Sequence, residues 1–205
     1  MRISNLYEGA ITTKVLRQAI EYLLSNIDWS GGDGEGIIHH YVRENDIDEG
    51  DIPKNLTDKR SFKKWLKEWA ANRIDDALFE IENHYRGAFN LMVYRMIVAP
   101  QTWNPYAQSL GIFWSWQEDT AEAHWGSFNH GMNKYLITGE VDRNHVDWAS
   151  TLAANANPST GIEKEITLLH GSPVKIVQIR QATINVYNIR DFTEMPNVEG
   201  IVVPA

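Results

Sequence analysis

Cysteine is absent from the 205 residues. Disulfides, thiol nucleophiles and zinc–thiolate centres are excluded together. No run of 18 or more apolar residues occurs, so no transmembrane helix is expected. The start MRISNLYEGAITTKVLRQ lacks the apolar stretch of a secretory signal. The expectation is a cytoplasmic protein with no membrane partner, delivery into another cell by a route without such a signature staying open. Positive charge is scarce, with 19 Lys and Arg against 27 Asp and Glu, a net charge of −8. That balance disfavours broad binding to a phosphate backbone, and hence a nucleic-acid partner. The dense basic cluster Lys59, Arg60, Lys63, Lys64 and Lys67 reads as the solvated face of a helix. Several catalytic signatures are missing too. The glycines of SGGDGEG (30–36) are not followed by GK[ST], and no GxSxG occurs. None of the seven histidines has HExxH or HxH spacing, so no metal is expected.

What is abundant is aromatic surface, with eight Trp and eight Tyr, suited to a large core or to ligand-stacking walls. Residues 12–26 have the pattern of an amphipathic helix capped by Thr12 or Thr13. Residues 58–83 read as a long helix. Phe62, Trp65, Leu66, Trp69, Ile74, Ala77, Leu78 and Ile81 form its apolar stripe. From residue 88 the texture changes to short β-rich runs: LMVYRMIV, GIFWSW, KYLITGEV, EKEITLL, PVKIVQIR and TINVYNI. The expected class is α+β, a helical region over 1–88 packed on a mainly antiparallel β core over 89–205. Asp142 and Asp147 read as caps and turn formers.

Three segments carry candidate chemistry. In GIEKEITLLHGSPVKIVQI two strands are joined by a tight turn at Gly171-Ser172-Pro173. Residues two apart in a strand share a face about 6.6 Å apart, which would put Glu163 and Glu165 side by side. Paired carboxylates beside apolar residues repel one another and lose hydration. They suit developing positive charge, or they are ordinary solvated glutamates at a strand entrance. Arg95 lies in LMVYRMIV, a strand apolar on both faces. Its guanidinium needs an anionic partner, either one of those glutamates in a buried ion pair or a ligand phosphate or carboxylate. Ser115 sits among aromatics in LGIFWSW, beside Phe113 on one face with Trp114 and Trp116 on the other. It is a satisfied core hydroxyl or part of a pocket wall.

In this order the three segments resemble the arginine-specific mono-ADP-ribosyltransferases, the toxin-like class whose signature is Arg, Ser, Glu. The matching residues are Arg95 in VYRMIV, Ser115 in GIFWSW, and Glu163 and Glu165 in EKEITLL. The likeness covers roughly residues 90–180. The chain departs from it in having Ser115-Trp116-Gln117 where Ser-Thr-Ser is usual. The loop AANANPSTGI also lacks the aromatic that often stands before the glutamates. Residues 1–88 fall outside the resemblance.

The resemblance implies a two-sheet core with NAD, as substrate, in the cleft between the sheets. Arg95 would hold the NAD phosphates. Glu165 would stabilise the ribose cation as nicotinamide departs, with Ser115 orienting it, and Glu163 would bind an acceptor arginine on a protein. Phe113, Trp114 and Trp116 are the candidates for packing on nicotinamide, with Trp125 a looser one. Two alternatives stand beside the transferase: an NAD glycohydrolase of the same fold, and a non-catalytic nucleotide- or partner-binding module in which Arg95 and Glu165 form a structural ion pair.

Overall fold

The computed structural model describes residues 11–25, 52, 59–105, 109–123, 132–157, 161–183, 192–196 and 198–205. The glycine-rich loop at 30–36, the acidic stretch around Pro53, Trp125 and most of TINVYNI lie outside the described residues. The chain divides into two compact units, one of residues 1–84 with 148–162 and one of residues 85–147 with 163–205. The first division lies between residues 84 and 85. The return of 148–162 to the helical unit was not expected.

Helices build the first unit. Helix α1, Thr13–Ser25, buries Ala19 and Leu23. Its start is fixed by Thr12, whose Oγ1 accepts from the Val15 N–H at 3.3 Å, the N-cap bond that such a residue supplies. Helix α2, Lys59–Tyr85, is 27 residues long. It buries Phe62, Leu66, Ala70, Ile74, Ala77, Leu78 and Ile81, a row at three- and four-residue steps. Trp65 and Trp69 flank that row half-buried, and Trp65 lies tilted against Phe62 with ring centroids 5.7 Å apart. A short helix, Trp148–Ala156, packs against α1. Trp148, Ala149, Thr151, Leu152, Ala153 and Ala156 are buried along it. Its last carbonyl, on Ala156, accepts from Arg73 Nε at 3.1 Å, a cation placed where the helix dipole favours it.

The second unit is a sheet. In chain order its strands are β1 (Asn90–Pro100), β2 (Phe113–Ser115), β3 (Met132–Asp142), β4 (Glu165–Thr167), β5 (Pro173–Thr183), β6 (Thr193–Glu194) and β7 (Val202–Pro204). The spatial order is β4-β2-β1-β3-β5-β6, with β7 also on β5. All pairings are antiparallel. The α+β class therefore holds, with a mainly antiparallel sheet. Among the described residues the strands form one seven-stranded sheet, a path of six with β7 beside it, where two sheets were expected. Its weak point is the β1–β2 junction, where Tyr94 opposite Ser115 is the one residue pair in register.

The turn expected at Gly171-Ser172-Pro173 lies slightly earlier, at His170-Gly171, closed by Ser172 N–H on the Leu169 carbonyl at 3.0 Å. Pro173 already opens β5, and the strands on either side do not pair with each other. β4 lies at one edge against β2, while β5 pairs with β3. Hydrogen bonds hold the departing chain elsewhere, from Leu168 N–H to the Ile112 carbonyl and from Leu169 N–H to the His145 carbonyl, both at 2.8 Å. Asp142 acts as expected. Its Oδ1 accepts from Asn144 N–H at 2.7 Å and caps the 3₁₀ turn Arg143–His145.

Glycine 139 matters for the sheet core. A Cβ there would lie 2.6 Å from Val174 Cγ1 and 3.4 Å from Trp114 Cζ3, beside the register shift between Thr138 and Gly139. Overpacking of this kind costs about 1–3 kcal/mol. We expect Gly139→Ala to lower the chemical-denaturation midpoint correspondingly. An unchanged midpoint would mean that Val174 and Trp114 have room to yield.

Candidate functional site

The site grows from the one-pair junction of β1 and β2. Tyr94 faces Ser115, and Ser115 in turn faces Glu165 across β2 and β4. One transverse row therefore carries a phenol, a hydroxyl and a carboxylate on the same face. A cavity of about 250 Å³ opens there, lined by Tyr94, Arg95, Met96, Phe113, Trp114, Ser115, Glu163 and Glu165 and also by Thr120 and Ala121. The last two belong to helix α3, Glu118–Ala123.

Arg95 is half-buried. Its Nη1 donates to the Phe113 carbonyl, spanning the opening between β1 and β2. Its Nε is buried without a hydrogen-bond partner. Among the described residues no carboxylate pairs with it. Burial pulls its pKa down from the ordinary arginine value, yet a guanidinium stays charged in a protein. The cavity thus contains a cation with hydrogen-bonding capacity to spare.

Ser115 behaves differently from the expectation. Its Oγ contacts the main-chain carbonyls of Glu163 and Lys164 at 3.1 and 3.2 Å and accepts from Gln117 N–H at 3.1 Å. It positions the glutamates through their backbone, not through the Glu165 carboxylate. That carboxylate accepts from Thr167 Oγ1 at 2.6 Å.

The two glutamates both reach the cavity, but not by strand alternation. Glu163 closes the 3₁₀ turn Gly161–Glu163, and β4 begins only at Glu165. Between them Lys164 has φ 51°, a left-handed conformation costly for a side-chain-bearing residue. The Ser115 contact and the bond from Trp116 N–H to the Lys164 carbonyl at 2.8 Å hold that kink. Lys164 Nζ lies 5.2 Å from the Trp116 ring centroid, within cation–π range. Glu163 and Glu165, on either side of that kink, both line the cavity.

The aromatics separate. Trp114 lines the cavity and is buried, its Nε1 donating to the Gly111 carbonyl at 2.9 Å. Phe113 is 55% exposed and forms part of the cavity lining. Trp116, at 1% exposure and absent from the lining, is core. It cannot pack on a ligand here, because β2 ends at Ser115 and the chain turns toward α3.

Tyr94 and Thr167 were not singled out as site residues from the sequence. Each was visible as a strand neighbour, Tyr94 beside Arg95 and Thr167 two residues after Glu165. Their use depends on cross-strand register. Burial, with Glu118 nearby, raises the Tyr94 pKa against the lowering influence of Arg180. Glu118 and Arg180 form an ion pair in this unit. Among the described residues, no cluster of three or more His, Asp or Glu is placed to hold a metal ion, and no helix is long and apolar enough to cross a membrane.

No protein-family model matches this chain, and neither the curated proteins nor the solved structures yield a match. The class of the protein therefore rests on the residues of the site.

Proposed function

We propose that the protein is a mono-ADP-ribosyltransferase that cleaves NAD at the nicotinamide–ribose bond and passes ADP-ribose to an arginine of a protein. The observation that carries this reading is the convergence of Arg95, Ser115, Glu163 and Glu165 on one cavity from three separate stretches of chain. Volume supports a partial fit. Small-molecule sites run from roughly 300 to 1,000 Å³. A space of about 250 Å³ suits the nicotinamide–ribose end of a dinucleotide, the remainder lying outside.

In the proposed reaction Arg95 holds phosphate oxygens of NAD through its unused donors. Trp114 gives nicotinamide an apolar wall. The C1′–N bond of the ribose breaks, and its electron pair moves onto the nicotinamide ring, neutralising the pyridinium charge. Positive charge passes to the ribose as an oxocarbenium ion, the species met in glycoside hydrolysis. Glu165, oriented by Thr167, stabilises that charge more than it stabilises bound NAD. A guanidinium nitrogen of the acceptor bonds to C1′, and its proton leaves to the Glu163 carboxylate. NAD hydrolysis is the same chemistry with water as acceptor.

A purely structural ion pair between Arg95 and Glu165 would favour a non-catalytic binding module. Arg95 instead uses a main-chain carbonyl, which favours the enzyme.

The test is incubation of the protein with adenylate-labelled NAD and cell extract. Label should appear on extract proteins and be released by treatment that cleaves arginine-linked ADP-ribose. In Glu163→Gln, loss of a positioned base should cut transfer about a hundredfold, while nicotinamide release continues with water as acceptor. Equal loss of both would remove the division between donor and acceptor carboxylates. No label transfer by the wild-type protein to any extract would contradict the transferase reading.

A further inference from the structure

Segment 109–113 is tied down by hydrogen bonds on both sides of Gly111. Gly111 N–H donates to Ser109 Oγ at 3.1 Å, and the Gly111 carbonyl accepts from Trp114 Nε1 at 2.9 Å. Leu110 N–H donates to the Pro204 carbonyl at the end of β7 at 3.0 Å. The Ile112 carbonyl accepts from Leu168 N–H at 2.8 Å, and the Phe113 carbonyl accepts from Arg95 Nη1. Backbone groups tied at this many points leave the segment little freedom to shift.

Against this fixed backbone lies the Arg95 guanidinium. A Cβ on residue 111 would stand 3.0 Å from Nη2 and 3.3 Å from both Cζ and Nη1. Those distances are short for carbon beside a guanidinium at van der Waals separation. Nη1 is committed to Phe113, and Nε is buried. Nη2, the nitrogen nearest position 111, is therefore the main donor left for a ligand.

We propose that Gly111 is the positioning residue for anion capture. Its missing side chain lets the Arg95 guanidinium lie against the chain with Nη2 presented to a phosphate-class ligand. The inference rests on the reading of the cavity as an NAD site, but its anion arm is tested separately. A methyl group at 111 requires the guanidinium to give by a few tenths of an ångström, which loosens Nη1 on the Phe113 carbonyl and alters the direction in which Nη2 donates.

Gly111 has φ +77°, so alanine there also strains the backbone. Gly87 supplies the control. Its φ is +75°, and a Cβ there meets nothing within 4 Å. Wild type, Gly111→Ala and Gly87→Ala are titrated calorimetrically with NAD and with inorganic pyrophosphate, after circular dichroism has established folding. Relative to Gly87→Ala, Gly111→Ala should weaken binding of both ligands about ten- to a hundredfold, the worth of one charge-assisted hydrogen bond. In nicotinamide release KM should rise while kcat stays within about threefold, since the ground state and the transition state lose the same contact.

Arg95→Lys removes the guanidinium from beside residue 111. The double variant Gly111→Ala/Arg95→Lys should therefore bind no more weakly than Arg95→Lys alone. If Gly111→Ala by itself fails to fold, the double variant should fold, because Arg95→Lys removes the crowding and leaves only the backbone strain that Gly87→Ala also carries. A double variant that stays unfolded while Gly87→Ala folds would overturn the inference. Equal affinities in the two glycine variants, or a double variant a further tenfold weaker than Arg95→Lys, would overturn the inference. Wild-type protein that takes pyrophosphate but not NAD would remove the NAD reading, and the glycine pair would still decide this one. Wild-type protein that takes neither would overturn both.

Discussion

Glu165→Gln should lower nicotinamide release from NAD by about a thousandfold while leaving NAD affinity nearly unchanged, because one preorganised electrostatic group aimed at developing charge contributes on that scale. Glutamine keeps the shape of the side chain, and its amide oxygen can still accept from Thr167 Oγ1, which bonds Glu165 Oε1 at 2.6 Å. What disappears is the negative charge. Bound NAD already has its ring positive, and the substitution removes stabilisation of charge arriving on the ribose, so kcat falls and KM does not. Steady-state nicotinamide release with purified protein measures both. A variant within threefold of wild type would move the catalytic charge away from residue 165. A variant with raised KM and unchanged kcat would make Glu165 a binding group only.

Arg95→Met should weaken NAD binding about a hundredfold and leave the fold as stable as before or more so. The binding loss follows from removing a charge-assisted contact to phosphate. The stability result is the more telling half. A structural arginine that balances a buried carboxylate destabilises a protein when removed, by about 3–5 kcal/mol, since its partner is left uncompensated. Arg95 has no such partner among the described residues, and its Nε is buried without a hydrogen bond. Methionine fills similar space without the desolvation cost, against the loss of one bond to the Phe113 carbonyl. Parallel thermal melts and NAD titrations test this. Strong destabilisation would mark Arg95 as part of the scaffold and weaken the case for an anion site.

The long helix was legible because its apolar row repeats at the helical period, and the row from Phe62 to Ile81 is buried as that period demands. Helix Trp148–Ala156 was not legible. It is buried around most of its circumference, so it has no polar face to set off a stripe. The pairing of β4 and β5 with other strands was equally hidden, because a turn fixes where the chain reverses and not which strand lies beside it.

The site was read in part for a reason the structure replaces. Glu163 and Glu165 reach one cavity, although strand alternation does not bring them there. A left-handed residue between them does, steadied by a serine far away in the chain. No local pattern announces φ 51° at a lysine. Ser115 was singled out for its small hydroxyl among aromatics, and its contacts proved to be with main-chain carbonyls. Trp116 and Trp114 could not be told apart from composition, because where β2 ends decides which ring faces the cavity. The positive φ of Gly111 was also invisible in the run LGIFWSW, which reads as strand throughout.

The most direct test of the central claim is nicotinamide release from NAD by the purified protein alone, followed chromatographically beside Glu165→Gln. The account predicts release by the wild-type protein with ADP-ribose as co-product when no protein acceptor is present, and release about a thousandfold slower in the variant. Wild-type protein that leaves NAD intact, or releases nicotinamide no faster than Glu165→Gln, would contradict it.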